Sequence, residues 1–322
     1  MRLRNIDLLK GILILLVIVG HIALGHPDHG FYEPRHNFLR YAIYSFHMPL
    51  FIGISGFLFN SEKMKQLSFG GIINKYLFRM LIPWAIAMIV YTVTPNFETT
   101  YSLPSLLFFI PFYHLWFVVA YLMWIIVMWA LLKADLKLST IFWGALIVSI
   151  GTKFLLEYPN LYNFSPLASQ AIETLLRTFK PFFFIFFVTG MVFKKVDLNA
   201  YLQPAAVGTI LGALGFSALF FAPSLPTKII LFYLFNGAFL AFLLALAQKD
   251  RLPYSNLFEW MGKNSLAIYL WHMLPIILIQ HLIGEENHQA FYLYTMVAET
   301  IWIGSIWLLS KNKTINRYLF GM

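Results

Sequence analysis

Apolar stretches long enough to cross a bilayer recur from one end of this 322-residue chain to the other. A spanning helix needs roughly 20 predominantly apolar residues, because the hydrocarbon core is about 30 Å thick and each helical residue rises about 1.5 Å. Ten such stretches are legible, at roughly 8–25, 41–59, 76–94, 106–132, 138–156, 181–193, 200–222, 228–247, 265–283 and 290–310. The sixth is short, and Pro104 and Pro111 blur the start of the fourth. Backbone in lipid must satisfy its own hydrogen bonds, so the expected fold is an all-α, polytopic integral membrane bundle of about ten transmembrane helices. Only 11% of the residues are charged, against about 25% in a typical soluble domain. A soluble globule is excluded. The longest loops, 26–40, 60–75, 157–180 and 248–264, are too short to fold alone, so residues 1–322 read as a single membrane domain.

Charge placement orients the bundle. With the N-terminus in the cytoplasm, inner segments carry 17 of the 23 Lys and Arg residues. The other six are Arg35, Arg40, Lys153, Arg177, Lys180 and Lys228. That asymmetry follows the positive-inside rule and predicts both termini in the cytoplasm of a bacterial inner membrane, with the lipid bilayer as partner. Topology thus accounts for the net charge of +9, and nucleic acid is an unneeded partner. The chain has no cysteine, hence no disulfide, thiol nucleophile or Cys–metal site. Arg2 and Arg4 before an apolar core, with Ala23-Leu24-Gly25 behind it, loosely resemble a secretion leader. The polar residues within that core argue against removal. Segment 161–180 reads as interfacial, and the absence of an internal repeat weakens a repeat-built transporter.

Asp7, Lys10 and His21 fall within roughly 60° of one another on the first helix, over about 21 Å of its axis. Ionisable groups in a spanning helix are costly and mark substrate paths, proton relays or sites. His21, His47, His114 and His272 all fall between the midplane and the outer headgroups on this topology, as expected of a shared polar cavity. A lone intramembrane histidine is otherwise a helix–helix link. Ser265, Tyr269 and His272 share one face of the ninth span, with Asn264 placed as its cap. Glu299 is a carboxylate deep in the last apolar run, expected to pair with a histidine and orient it. On the inner side, Lys10, Lys75 and Arg79 form a basic rim, read either as lipid anchors or as a phosphate clamp for an anionic cosubstrate.

Asp7-Leu8-Leu9-Lys10-Gly11 leading to Val19-Gly20-His21 resembles the opening of the acyltransferase 3 family, as does Phe46-His47-Met48-Pro49 with Ser55-Gly56. So do Lys75 and Arg79 before Ile82-Pro83, His114-Leu115-Trp116-Phe117, Gly190-Met191 and Gly262-Lys263-Asn264-Ser265 through Tyr269-Leu270-Trp271-His272. These are membrane O-acyltransferases, and the Leu9-Lys10-Gly11 form is similar to their fucose 4-O-acetylase-like branch. The resemblance implies transfer of an acetyl or other short acyl group from acetyl-CoA to a hydroxyl of a glycan or lipid-linked sugar. It maps the family's first-span histidine onto His21 and its basic motif onto Lys75 and Arg79. Lys10 stands where many members carry Arg, and the basic motif is spaced Lys-x-x-x-Arg.

The expected chemistry has His21 as general base, with Glu299 and His272 as catalytic partners. His47, His114, Trp116, Asn264, Ser265 and Tyr269 are expected to meet substrate, the last three supplying candidate oxyanion donors, with Lys10, Lys75 and Arg79 on acyl-CoA. No metal is expected. An acyl-histidine intermediate is the variant, and a homo-oligomer stays open. The rival readings are a polysaccharide or small-molecule exporter using the same polar path, and an envelope scaffold or sensor.

Overall fold

Two prolines inside spanning helices displace carbonyls that side chains of other helices take up. The computed structural model describes residues 4–23, 38–94, 111–112, 114–158, 165–222, 224–249, 251–283 and 288–321. Loop 26–40 up to residue 37, and the expected start of the fourth span at 106–110, lie outside them. The described chain is helical, with no strand. It forms α1 (Arg4–Ile22), α2 (Phe38–Leu58), α3 (Ser61–Gln66) and α4 (Phe69–Tyr76), which passes through a π-helical turn, Leu77–Leu81, into α5 (Ile82–Thr92). Then come α6 (Trp116–Lys133), α7 (Leu138–Glu157), α8 (Pro166–Phe179), α9 (Phe184–Phe193), α10 (Leu202–Phe221) and α11 (Leu225–Gln248). Then follow α12 (Asn256–Lys263), α13 (Ser265–Trp271), α14 (Met273–Ile283) and α15 (His288–Leu309), and the described chain closes on a short helical turn, Lys313–Ile315, and a π-helical turn, Asn316–Phe320.

Among the described residues nine helical stretches are long and apolar enough to cross a membrane. The bent pair Ala168–Phe179 and Pro181–Phe193 makes a tenth if it counts as one span. Lys180, at φ 41°, forms the 40° corner between the two halves. The short sixth span and the interfacial segment of the sequence reading are therefore joined, and α8 packs on α6. Helix α1 is central, with 67% of its spanning window buried, whereas α7 and α15 reach only 17% and turn Ile147, Val148, Leu293 and Ile301 outward.

Pro49 has no N–H for the Ser45 carbonyl, and the buried Asn236 of α11 supplies one at 2.9 Å. Pro275 likewise releases the Trp271 carbonyl, which accepts from the Trp302 indole at 3.1 Å. This second break divides the ninth span into α13 and α14, with His272 at the joint. Glycines then let backbones touch. A Cβ on Gly262 would stand 1.6 Å from the Asp7 carbonyl oxygen, and one on Gly11 would stand 1.9 Å from that of Phe258. Helix α12, part of what the sequence reading left as an inner loop, is pressed against α1 by these two residues. Gly56 and Gly190 lock α2 and α9 in the same way.

Candidate functional site

Lys10 of α1, Lys75 of α4 and Arg79 of the π-helical turn converge on one cavity of about 270 Å³. Ser55, Phe117, Ser265 and Tyr269 form its deeper lining. The basic rim expected from sequence is thus assembled from three separate segments, at the end of the bundle where Lys65 pairs with Asp135. The Lys75 ammonium lies 5.4 Å over the Tyr76 ring. A π-helical turn widens the helix by one residue and recurs at functional sites; here it carries Arg79. Asp7, on the same sequence stripe, instead lies beneath Gly262 at 2% exposure.

Tyr269 closes the cavity. Its hydroxyl donates to the His114 carbonyl and accepts from the Phe117 amide at 3.3 Å, and its ring lies 5.6 Å from the His114 imidazole. Beyond it stand three histidines. His114 and His272 rings are 5.0 Å apart, His272 and His21 are 4.9 Å apart, and Nε2 of His272 lies 3.1 Å from Nδ1 of His21. His47 joins through Tyr44, whose ring is 4.9 Å from His47 and 6.2 Å from His21. Among the described residues no group of three or more His, Asp or Glu side chains could hold a metal ion.

The backbone orients these rings. Nδ1 of His21 faces the Val17 carbonyl at 2.8 Å, that of His47 the Ile43 carbonyl at 2.7 Å and that of His272 the Tyr269 carbonyl at 2.9 Å. A carbonyl only accepts, so each neutral ring carries its proton on Nδ1 and its lone pair on Nε2. His114 differs. It is 2% exposed and neither ring nitrogen makes a well-formed hydrogen bond among the described residues, although the Tyr269 and Leu270 carbonyls stand nearby.

Two sequence expectations need correction. Glu299 is buried, but neither carboxyl oxygen bonds any described residue, and its electrostatic neighbour is Tyr91 rather than a histidine. The helix carbonyls already take the orienting role assigned to it. Asn264 occupies the cap position of α13 at φ −102° and ψ 17°, not extended, and its amide turns back to the Trp260 carbonyl at 2.7 Å. It caps nothing. Trp116 stands apart from both histidines and cavity, stacked 5.8 Å from Phe183 with the Lys180 ammonium 4.6 Å over its ring.

On the far side of the histidines a second hollow, about 250 Å³, is lined by Arg40, Tyr41, Tyr44, Ser45, Lys153, Glu157, Phe216, Lys228 and Phe232. Sequence reasoning missed it, because its residues come from α2, α7, α10 and α11 and no local spacing unites them.

The sequence model of the acyltransferase 3 family, described as an acyltransferase domain, matches residues 3–309. Nodulation protein NolL of Sinorhizobium fredii (strain NBRC 101917 / NGR234) is 38% identical over 81 residues. That stretch is 24% of this chain and 21% of NolL, about a fifth of the relative's length. No solved structure matches.

Proposed function

This chain belongs to the acyltransferase 3 family of multi-pass membrane O-acyltransferases, and from that premise we propose the direction and chemistry of its reaction. An acetyl or other short acyl group passes from acyl-CoA at the cytoplasmic face of a bacterial inner membrane to a hydroxyl of a glycan or lipid-linked sugar at the opposite face. The observation that carries this reading is the placement of the His21–His272–His114 cluster between a cationic cavity at one end and an aromatic, charged hollow at the other. The Asp7-Leu8-Leu9-Lys10-Gly11 form supports the fucose 4-O-acetylase-like branch.

In this reading Lys10, Lys75 and Arg79 hold the phosphates of the donor, and its narrow pantetheine arm runs along Ser55 and Ser265 toward Tyr269. Nε2 of His21 takes the proton of the acceptor hydroxyl as that oxygen attacks the thioester carbonyl carbon. The tetrahedral intermediate collapses with cleavage of the C–S bond, and the imidazolium returns its proton to the departing thiolate. Ser265 is the oxyanion donor best placed, since the Tyr269 hydroxyl and Asn264 amide already serve backbone carbonyls. His272 positions His21, while Glu299 acts only through Tyr91, whose ring meets His114 at 5.1 Å.

The test is labelled acetyl-CoA given to the purified chain in nanodiscs with envelope glycans. Label should move to glycan, and coenzyme A should raise the unfolding temperature of the chain but not of a Lys75→Gln/Arg79→Gln variant. Label appearing on the protein in the absence of acceptor would select the acyl-histidine route. An exporter would ignore coenzyme A, and that result would overturn the proposal.

A further inference from the structure

The family match stops at residue 309, yet the chain that follows α15 packs on two of the segments that line the cationic cavity. Asn312 caps a short turn by accepting from the Thr314 and Ile315 amides, and the chain then winds through the π-helical turn Asn316–Phe320. Phe320 is buried, and the Trp271 indole donates to the Leu319 carbonyl at 2.9 Å, satisfying a group that a helix end otherwise strands. Gly321 ends the turn at φ 70°, in the left-handed region. A Cβ there would stand 2.1 Å from the Arg79 carbonyl oxygen and 3.2 Å from the Leu266 side chain. Arg79 and Leu266 both line the cavity. Arg317 adds a second hold. Its guanidinium lies 4.1 Å over the Phe78 ring, and the Tyr318 ring meets that same ring at 5.9 Å. Two π-helical turns, Leu77–Leu81 and Asn316–Phe320, are thus packed against each other.

We propose that residues 312–321 form a positioning brace for the donor site, clamping Phe78 and the Arg79 backbone against α13 so that the Arg79 guanidinium stays in the cavity lining. This rests on the acyl-transfer reading and adds to it the residues, Gly321 and Arg317, that set the affinity for the donor. A guanidinium grips phosphate through a planar fork, so a small turn of its backbone spoils both hydrogen bonds at once. The π-helical turn that carries Arg79 is an uncommon register, and the brace gives it contacts that an isolated helix would lack. Neither Gly321 nor Arg317 lines the cavity, so both act through Arg79.

The experiment measures the dissociation constant of coenzyme A and the kinetics of acetyl transfer for the full chain in nanodiscs. Gly321→Ala should weaken coenzyme A about tenfold, the scale of one charge-assisted hydrogen bond. KM for acetyl-CoA should rise by a similar factor with kcat held within about twofold, as expected when ground-state and transition-state binding are lost equally. Arg317→Gln, an exposed change, should weaken coenzyme A about threefold, Arg317→Lys should recover most of that, and this pair carries the test if Gly321→Ala does not fold. In an Arg79→Gln chain both effects should vanish, because no guanidinium is left to place. Unchanged coenzyme A affinity in the folded variants, effects that persist undiminished in Arg79→Gln, or a fall in kcat at constant KM would each overturn the proposal. The Arg79→Gln chain also separates the two levels. Wild-type binding that Arg79→Gln weakens upholds the donor site and confines a failure to the brace. Binding that Arg79→Gln leaves unaltered removes Arg79 from the donor site, and the brace with it. A wild-type chain that ignores coenzyme A strikes the acyl-transfer reading itself.

Discussion

Nδ1 of His21 sits between two acceptors, the Val17 carbonyl at 2.8 Å and Nε2 of His272 at 3.1 Å. One proton serves both, because His272 spends its own Nδ1 proton on the Tyr269 carbonyl at 2.9 Å. The arrangement fixes the tautomer of His21 through a backbone carbonyl and a second imidazole.

Removing that base should cost the chemical step its proton acceptor. His21→Ala is expected to lower kcat by about 10²–10⁴-fold, with coenzyme A still raising the unfolding temperature. His272→Ala should cost less, about tenfold, since the Val17 carbonyl still orients His21. Single-turnover transfer of labelled acetyl groups measures both.

A catalytic carboxylate and a buried neutral-equivalent side chain respond differently to amide substitution. Because Glu299 meets no described cation, Glu299→Gln should retain kcat within about threefold. A loss of about 10⁴-fold, the size seen when a triad carboxylate becomes an amide, would restore Glu299 to a direct role.

The contact between α1 and α12 has no room for a methyl group. Gly262→Ala should destabilise the fold by about 1–3 kcal/mol or prevent it from forming, and Gly11→Ala likewise. Monodisperse yield and thermal unfolding in detergent report the change. Gly144→Ala, where the added atom meets nothing within 4 Å, is the control and should leave both unchanged.

Asn236 is the replacement donor for an amide that Pro49 lacks. Asn236→Leu should lower stability by about 1–3 kcal/mol, the penalty for stranding a buried carbonyl. Adding Pro49→Ala returns an N–H to the Ser45 carbonyl and should recover part of the loss. A double-variant cycle of unfolding temperatures reads this coupling.

Much of this architecture was legible because membrane helices announce themselves through composition and length. The spans, the basic rim of Lys10, Lys75 and Arg79, and the pooling of His21, His114 and His272 all follow from position along apolar runs. What stayed hidden has three physical sources. Helix α12 is eight residues long, too brief for an apolar run to mark it, and depends on a Ser255 cap and two glycine contacts. The expected roles of Asn264 and Glu299 were local guesses about partners: the Asn264 amide turns to the Trp260 carbonyl of the preceding helix, and the histidines that Glu299 was to orient face carbonyls of their own helices. The second hollow joins residues separated by up to 192 positions, from Arg40 to Phe232, and such meetings exist only once the helices have packed.

Tyr269 has a consequence for the order in which a ligand meets the site. Its hydroxyl is held by the His114 carbonyl and the Phe117 amide, and its ring both lines the cationic cavity and stands 5.6 Å from the His114 imidazole. A chain threaded into that cavity therefore meets this phenol ring before it meets an imidazole, and the two hydrogen bonds set how readily the ring can turn aside.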